Sequence, residues 1–250
     1  MTSSPAGLRI IAWAGAAVFA GSLVFFLFSY LVTFGVVTTG PLRPVDIVID
    51  VALFSVFAVH HSVLARERCR SWVARVVPAG LERSLYVWIA SVMLIAVCAW
   101  WRELPGLAWR IEGAAAWLAI VPQLAGAWLT LRSAAAIDIW ELAGVKQVRN
   151  PKTQVPNPKY QSGSQAPGPE SPFRTDGAYG WVRHPIYLGW FLLVFGVGTM
   201  TMTRMAFALI SCVYIVIAIP FEERSLRRTA GEAYETYRRQ VPWKLIPYVY

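Results

Sequence analysis

The sequence predicts an all-α, polytopic integral membrane bundle of five or six transmembrane helices, and three observations carry that prediction. First, 56% of the 250 residues are hydrophobic and only 15% are charged, with a mean hydropathy of +0.48. A soluble chain of this size carries about a quarter charged residues. Second, the apolar residues come in runs approaching or exceeding the roughly 20 positions a helix needs to cross a bilayer. Third, basic residues gather in alternate loops, the pattern that marks cytoplasmic segments.

Residues 8–37 form the first run. It is longer than the apolar core of a signal peptide, so it reads as a retained first helix. Residues 47–64 form the second, with Asp46 and Asp50 near its start, residues 85–101 the third and residues 114–137 the fourth. Residues 186–220 are too long for one span. Thr199-Met200-Thr201-Met202-Thr203-Arg204 lies in their middle, where the chain can turn, which predicts a helical hairpin. Its first arm is short: a full arm gives six crossings and a re-entrant arm gives five.

The loops supply an independent test. Residues 65–84 hold Arg66, Arg68, Arg70, Arg75 and Arg83, and residues 138–185 hold Lys146, Arg149, Lys152, Lys159, Arg174 and Arg183. The tail adds Arg224, Arg227, Arg228, Arg238, Arg239 and Lys244, whereas the alternate loops hold only Arg43, Arg102, Arg110 and Arg204. Both termini are therefore expected in the cytoplasm, with the chain in the inner, cytoplasmic membrane. The formal net charge of +9 follows from these loops and implies no nucleic-acid partner.

The chain thus divides into three stretches. Residues 1–137 carry four helices and the cytoplasmic loop 65–84. Residues 138–180 form a second cytoplasmic loop, so rich in Pro, Gly, Ser and Gln over 150–179 that it reads as a flexible linker or lid. Residues 181–250 carry the hairpin and a C-terminal cytoplasmic helix. Cys69, Cys98 and Cys212 are odd in number and widely spaced, which indicates neither a disulfide framework nor a zinc site. His60, His61 and Glu82 lack further ligands at set spacing, so no metal site is expected.

Chemistry concentrates near the C-terminus. In Arg183-His184-Pro185-Ile186-Tyr187-Leu188-Gly189, Pro185 suits the first turn of a helix and sets Arg183 and His184 at its mouth. A helix N-terminus beside two basic side chains is a natural carboxylate site. Phe221-Glu222-Glu223-Arg224-Ser225-Leu226 follows where the last apolar helix leaves the bilayer, a place where two carboxylates need partners. In Gly231-Glu232-Ala233-Tyr234-Glu235-Thr236-Tyr237, ahead of Val241-Pro242, the two tyrosines share a helix face.

These motifs, in this order and with an apolar hairpin between them, resemble the isoprenylcysteine carboxyl methyltransferase and phospholipid methyltransferase superfamily over about residues 180–247. The resemblance implies a cytoplasmic-side pocket for S-adenosyl-L-methionine, built from Arg183, His184, Tyr187, Gly189, Glu222, Glu223, Tyr234 and Tyr237. Arg183 and His184 suit its carboxylate, Glu222 or Glu223 its ammonium or ribose hydroxyls, and the tyrosines its adenine or sulfonium.

The N-terminal half extends the likeness. Phe57-Ala58-Val59-His60-His61-Ser62-Val63-Leu64-Ala65-Arg66, Glu82-Arg83-Ser84-Leu85-Tyr86-Val87 and Trp100-Trp101-Arg102-Glu103-Leu104-Pro105-Gly106 resemble the methanethiol S-methyltransferase branch and the NnrU-like group. That branch carries something like DLFGLRQV after its fourth helix. Here Glu141-Leu142-Ala143-Gly144-Val145-Lys146-Gln147-Val148 departs from it at the acid, the Phe and the Arg. The expected acceptor is a small thiol, with His61, Arg83 and Tyr86 at the acceptor end because a thiol attacks only as thiolate. Alternative acceptors are an isoprenylcysteine carboxylate or a phospholipid amine. Two readings of other classes are an NADPH-dependent membrane reductase and a non-enzymatic NnrU-like membrane component.

Overall fold

The computed structural model describes residues 5–64, 73, 75, 77, 81–136, 145 and 175–250. Arg66, Arg68 and Arg70, most of the stretch 141–148, and the Pro- and Gly-rich segment 150–174 lie outside the described residues. So does the expected loop 138–180, apart from Val145 and its last six residues.

Eight α-helices and two short strands, with 3-10 turns at Thr33–Gly35 and Gly177–Gly180, make up the described chain: α1 (Pro5–Leu31), α2 (Pro44–Leu64), α3 (Glu82–Trp100), β1 (Leu107–Arg110), α4 (Ala115–Leu118), α5 (Ile120–Ala135), α6 (Pro185–Phe195), β2 (Thr199–Thr201), α7 (Met202–Ala230) and α8 (Glu232–Gln240). Among the described residues, four helices are long and apolar enough to cross a membrane: Ala6–Gly35, Pro44–Val63, Glu82–Trp100 and Met202–Ala230. Their large apolar side chains point outward in quantity, as with Ile10, Val24, Val48 and Val56. Exposed apolar surface on that scale belongs against lipid. The chain is an integral membrane protein.

Two expectations are adjusted. Residues 114–137 do not form one unbroken helix: α4 ends at Leu118 and α5 starts at Ile120, with Ala119 between them still at helical φ and ψ. Pro122 has no N–H for the Leu118 carbonyl and its ring crowds that oxygen, so the turn cannot continue. The chain does turn at 199–204, but Thr199–Thr201 forms a strand that pairs with Leu107–Arg110, so the fold is not wholly helical. The β-branched threonines suit that extended segment. The first hairpin arm, α6, has 11 residues, about 16 Å of helix against a hydrocarbon core of about 30 Å.

The described residues fall into two compact units that do not follow chain order. The first draws on Met1–Leu107 and Thr201–Ala206. In it α1 packs on α3, and Gly15 leaves room for the Trp88 indole, which donates to the Ile11 carbonyl at 3.0 Å. Arg204 donates through Nε to the Tyr30 carbonyl at 2.9 Å and through Nη2 to the Leu31 carbonyl at 2.6 Å. It thereby satisfies two of the carbonyls that the end of α1 leaves open. Asp50 on α2, fully buried, accepts the Arg102 N–H at 2.8 Å.

Among the described residues the second unit draws on residues 108–136, 175–200 and 207–250. Its centre is the crossing of α5 and α6, where glycines leave no room for a Cβ. A Cβ on Gly126 would meet the Gly189 carbonyl at 2.5 Å, and one on Gly189 would meet Thr130 Oγ1 at 2.3 Å. Small residues at a crossing are how membrane helices gain packing that lipid would otherwise supply. α7 ends at Gly231, whose φ of +51° turns the chain into α8, a conformation that glycine adopts without a Cβ penalty.

Candidate functional site

Within the second unit three separate stretches meet. Pro185 opens α6 with His184 as its N-cap, which holds the Arg183-His184 pair just ahead of the helix. That pair is pinned from the other side: the Arg183 N–H donates to the Trp243 carbonyl and the His184 N–H to the Lys244 carbonyl, both at 2.9 Å. Glu222 and Glu223 ride on the late turns of α7. α8 folds back on α7, burying Leu226, Tyr234, Tyr237 and Val241 in one cluster.

Arg183 is almost wholly spent inside this structure. Its Nε donates to Glu223 Oε1 at 2.8 Å, and its Nη1 donates to the carbonyls of Val241 and Pro242 at 2.8 and 2.7 Å. The Arg183 and Glu223 side chains are 3% and 6% exposed. His184 Nε2 lies 3.4 Å from the same Glu223 oxygen. Glu222 differs: its side chain is 25% exposed, it accepts the Tyr187 hydroxyl at 2.9 Å, and His184 Nδ1 lies 3.5 Å from it. The His184 and Tyr187 rings stack in parallel, 5.4 Å apart at 7°.

Tyr237 donates its hydroxyl to the Tyr179 carbonyl at 2.9 Å. Burial pushes its phenol above the ordinary range. Burial does the same to Tyr234, with the Glu223 carboxylate adding to the effect. Both stay neutral hydrogen-bonding groups across the physiological range.

Seven of the eight residues expected around a cofactor therefore come together. Gly189 does not join them through any side of its own: it faces α5 and serves the helix crossing. The reachable groups are Glu222 and Tyr187, a carboxylate beside a hydroxyl and an aromatic ring, with the His184 ring buried behind them. Such a set suits an ammonium or a pair of hydroxyls, with a flat or cationic group over the rings.

His61, Arg83 and Tyr86 lie in the first unit, where α2 packs on α3. The Tyr86 hydroxyl lies 2.8 Å from His61 Nδ1, and the Arg83 guanidinium sits over the Tyr86 ring at 5.3 Å from its centroid. His60 stacks on that ring too, with centroids 6.1 Å apart at 8°. The residues that sequence reasoning missed are those contributing backbone: Tyr179, Trp243 and Lys244 lend carbonyls. Any residue carries a carbonyl, so no side-chain pattern could have marked them.

The chain has named relatives. Residues 165–228 match the model of the isoprenylcysteine carboxyl methyltransferase family. The chain is 34% identical over 204 residues to the methanethiol S-methyltransferase of Crocosphaera subtropica, covering 81% of this chain and 75% of the relative. It is 36% identical over 202 residues to the methanethiol S-methyltransferase of Mycobacterium tuberculosis, covering 79% and 78%. It is also 28% identical over 186 residues to Nurim of Rattus norvegicus, covering 71% and 67%. No solved structure matches. With relatives above 30% identity aligned over three quarters or more of their length, the chain belongs to the isoprenylcysteine carboxyl methyltransferase family and is a membrane methyltransferase.

Proposed function

We propose that the protein transfers a methyl group from S-adenosylmethionine to a small thiol of the methanethiol kind. One observation carries the donor half: Arg183-His184, Tyr187 and Glu222-Glu223, up to 40 positions apart, interlock in one hydrogen-bonded group with a single partly open carboxylate. The similarity to methanethiol S-methyltransferases carries the acceptor half.

When bound, the cofactor supplies a methyl made electrophilic by its sulfonium. The chain's own residues bind and orient. Glu222 takes the ammonium or a ribose hydroxyl, with Tyr187 holding its second lone pairs in place. The Tyr187 ring, backed by the buried His184 ring stacked on it, offers a face to the adenine or the sulfonium. Arg183 and Glu223 neutralise each other and keep the Arg183-His184 turn rigid, so that little ordering remains to be done on binding. His61, Arg83 and Tyr86 serve the acceptor.

The finer topology belongs to the same proposal. The loop arginines support both termini and the α6 mouth on the cytoplasmic side. The four long helices cross fully, α5 makes a fifth crossing, and the short α6 carries the chain to β2, which pairs with β1 on the opposite face, so six crossings bring the C-terminus back to the cytoplasmic side. A polar donor then arrives from the cytosol and a lipophilic acceptor from the bilayer. Reporter fusions at Gly40, Pro105 and the C-terminus check this: an external signal at the C-terminus overturns it.

The test of function uses the purified protein in detergent. S-adenosylhomocysteine should bind by calorimetry, and methanethiol plus S-adenosylmethionine should yield dimethyl sulfide in the headspace. Methylation of a farnesylcysteine analogue with no turnover of any small thiol overturns the acceptor. Binding of NADPH in place of S-adenosylhomocysteine overturns the donor.

A further inference from the structure

Residues 243–250, in the second unit, touch the site only through two backbone carbonyls, those of Trp243 and Lys244. Beyond them the segment closes on itself. The N–H groups of Lys244, Leu245 and Ile246 all donate to the Tyr250 backbone oxygen, at 3.0, 2.8 and 3.2 Å, and those of Val249 and Tyr250 donate to the Ile246 carbonyl at 3.1 and 3.0 Å. The Lys244 ammonium lies 4.2 Å from the centroid of the Tyr250 ring, and Leu245 is buried. Within this closed turn Tyr248 has a φ of +65°. A bulky side chain adopts that left-handed conformation only where its surroundings impose it. The result is that Tyr248 and Val249 stand outward, 86% and 74% exposed.

Level and charge say what covers them. The Trp243 and Lys244 carbonyls hold the N–H groups of Arg183 and His184, immediately ahead of Pro185, where the apolar helix α6 begins. The turn is therefore tied to the depth at which α6 enters the lipid. Trp181, two residues ahead of Arg183, is itself 69% exposed. Tryptophan and tyrosine favour the headgroup level of a bilayer, where an apolar ring and a polar tip are both accommodated. Residues 224–250 carry Arg224, Arg227, Arg228, Arg238, Arg239 and Lys244 against Glu232 and Glu235 alone. Glu235 pairs with Arg227 and Arg238 at 3.3 and 2.7 Å, while Arg224, Arg228 and Arg239 are exposed. Outward aromatic and aliphatic side chains beside an excess of positive charge match a surface of acidic headgroups above hydrocarbon.

We infer that residues 243–250 are an interfacial anchor, which seats Tyr248 and Val249 among the anionic headgroups of the leaflet at the α6 mouth. The anchor also acts on the site. The same closed turn supplies the carbonyls that hold the Arg183-His184 backbone, so fixing it to the membrane orders that pair before any ligand arrives. Binding then has less disorder to remove. Resting on the donor reading above, anionic lipid raises the affinity of the site for its cofactor.

The experiment places the full chain in nanodiscs of phosphatidylcholine alone, or of phosphatidylcholine and phosphatidylglycerol in equal parts. Amide hydrogen exchange at Arg183, His184 and residues 244–246 should slow about fivefold or more in the anionic discs, the equivalent of one basic side chain near such a surface. Raising the salt should shrink the difference, since exposed charges are screened. Tyr248→Gly supplies the residue best suited to the left-handed backbone. A turn that is merely structural keeps or gains protection in that variant, whereas an anchor loses much of its response to anionic lipid. Arg228→Gln should weaken the response as well. Calorimetric S-adenosylhomocysteine affinity of the wild type should rise with phosphatidylglycerol, and that rise should be smaller in Tyr248→Gly. Equal exchange in the two kinds of disc, or a full response in Tyr248→Gly, overturns the anchor. Exchange that responds while S-adenosylhomocysteine binds equally in both discs overturns the coupling to the site. Exchange that responds while S-adenosylhomocysteine binds in neither brings down the donor reading and leaves the anchor standing.

Discussion

Replacing Arg183 with alanine separates a clamp from a ligand contact. The guanidinium makes three hydrogen bonds within the protein: one to Glu223 and two to the carbonyls of Val241 and Pro242. Alanine leaves the Glu223 carboxylate, 6% exposed, without its guanidinium partner and with the His184 ring at 3.4 Å, and leaves both carbonyls short of a donor. Breaking a buried ion pair on one side costs about 3–5 kcal/mol, because the surviving charge stays buried without its partner. At about 2–4 °C per kcal/mol for a chain of this length, the melting temperature should fall by roughly 6–20 °C. The fluorescence of the twelve tryptophans reports unfolding in detergent without any label. Replacing both partners with apolar residues, Arg183→Met with Glu223→Leu, should recover much of that loss, since no orphaned charge remains. Were Arg183→Ala to leave the melting temperature unchanged while weakening S-adenosylhomocysteine binding, the guanidinium would face the ligand and the clamp would be refuted.

Glu222→Gln should do the reverse, holding the melting temperature within about 2 °C while lowering S-adenosylhomocysteine affinity at least about tenfold, or roughly 1.4 kcal/mol, by calorimetry. Gly126→Leu should lower the melting temperature sharply, because its side chain would meet the backbone of α6, and overpacking typically costs about 1–3 kcal/mol or more. Gly21→Ala, where a Cβ meets nothing within 4 Å, should be neutral or slightly stabilising in the same assay. The phenols of Tyr234 and Tyr237 are raised in the fold by burial. Their contribution is therefore complete below the unfolded value of about 10 and is lost as pH climbs above it. Melting curves from pH 8 to 11 should fall more steeply for the wild type than for the Tyr234→Phe, Tyr237→Phe double variant.

Some of this was legible along the chain because it depends on composition and period alone. Lipid accepts only residues without charge, so each long apolar run announced a helix, and α1, α2 and α3 lie within a few residues of where their runs predict. The ordered strings around His184, Glu223 and Tyr234 announced one site for a similar reason. Polar residues at the edge of a bilayer need partners, and a hairpin returns both of its ends to one face. The break at Ala119 was also written in the chain, in Pro122, although the apolar run passes over it unmarked.

What only the tertiary structure decided is the division of labour among residues of the same kind. Glu222 and Glu223 are adjacent and chemically identical in sequence. Consecutive positions on a helix point about 100° apart, so one meets Arg183 and is buried while the other stays partly open. Gly189 sits in the same motif as Tyr187, yet it faces Thr130 across a helix crossing that no local pattern encodes. His60 and His61 are likewise neighbours, and both meet the Tyr86 ring, but the Tyr86 hydroxyl lies within hydrogen-bond distance of His61 at 2.8 Å. Composition reports which side chains are available, whereas direction in space sets which of them are already spent on the fold and which remain for chemistry.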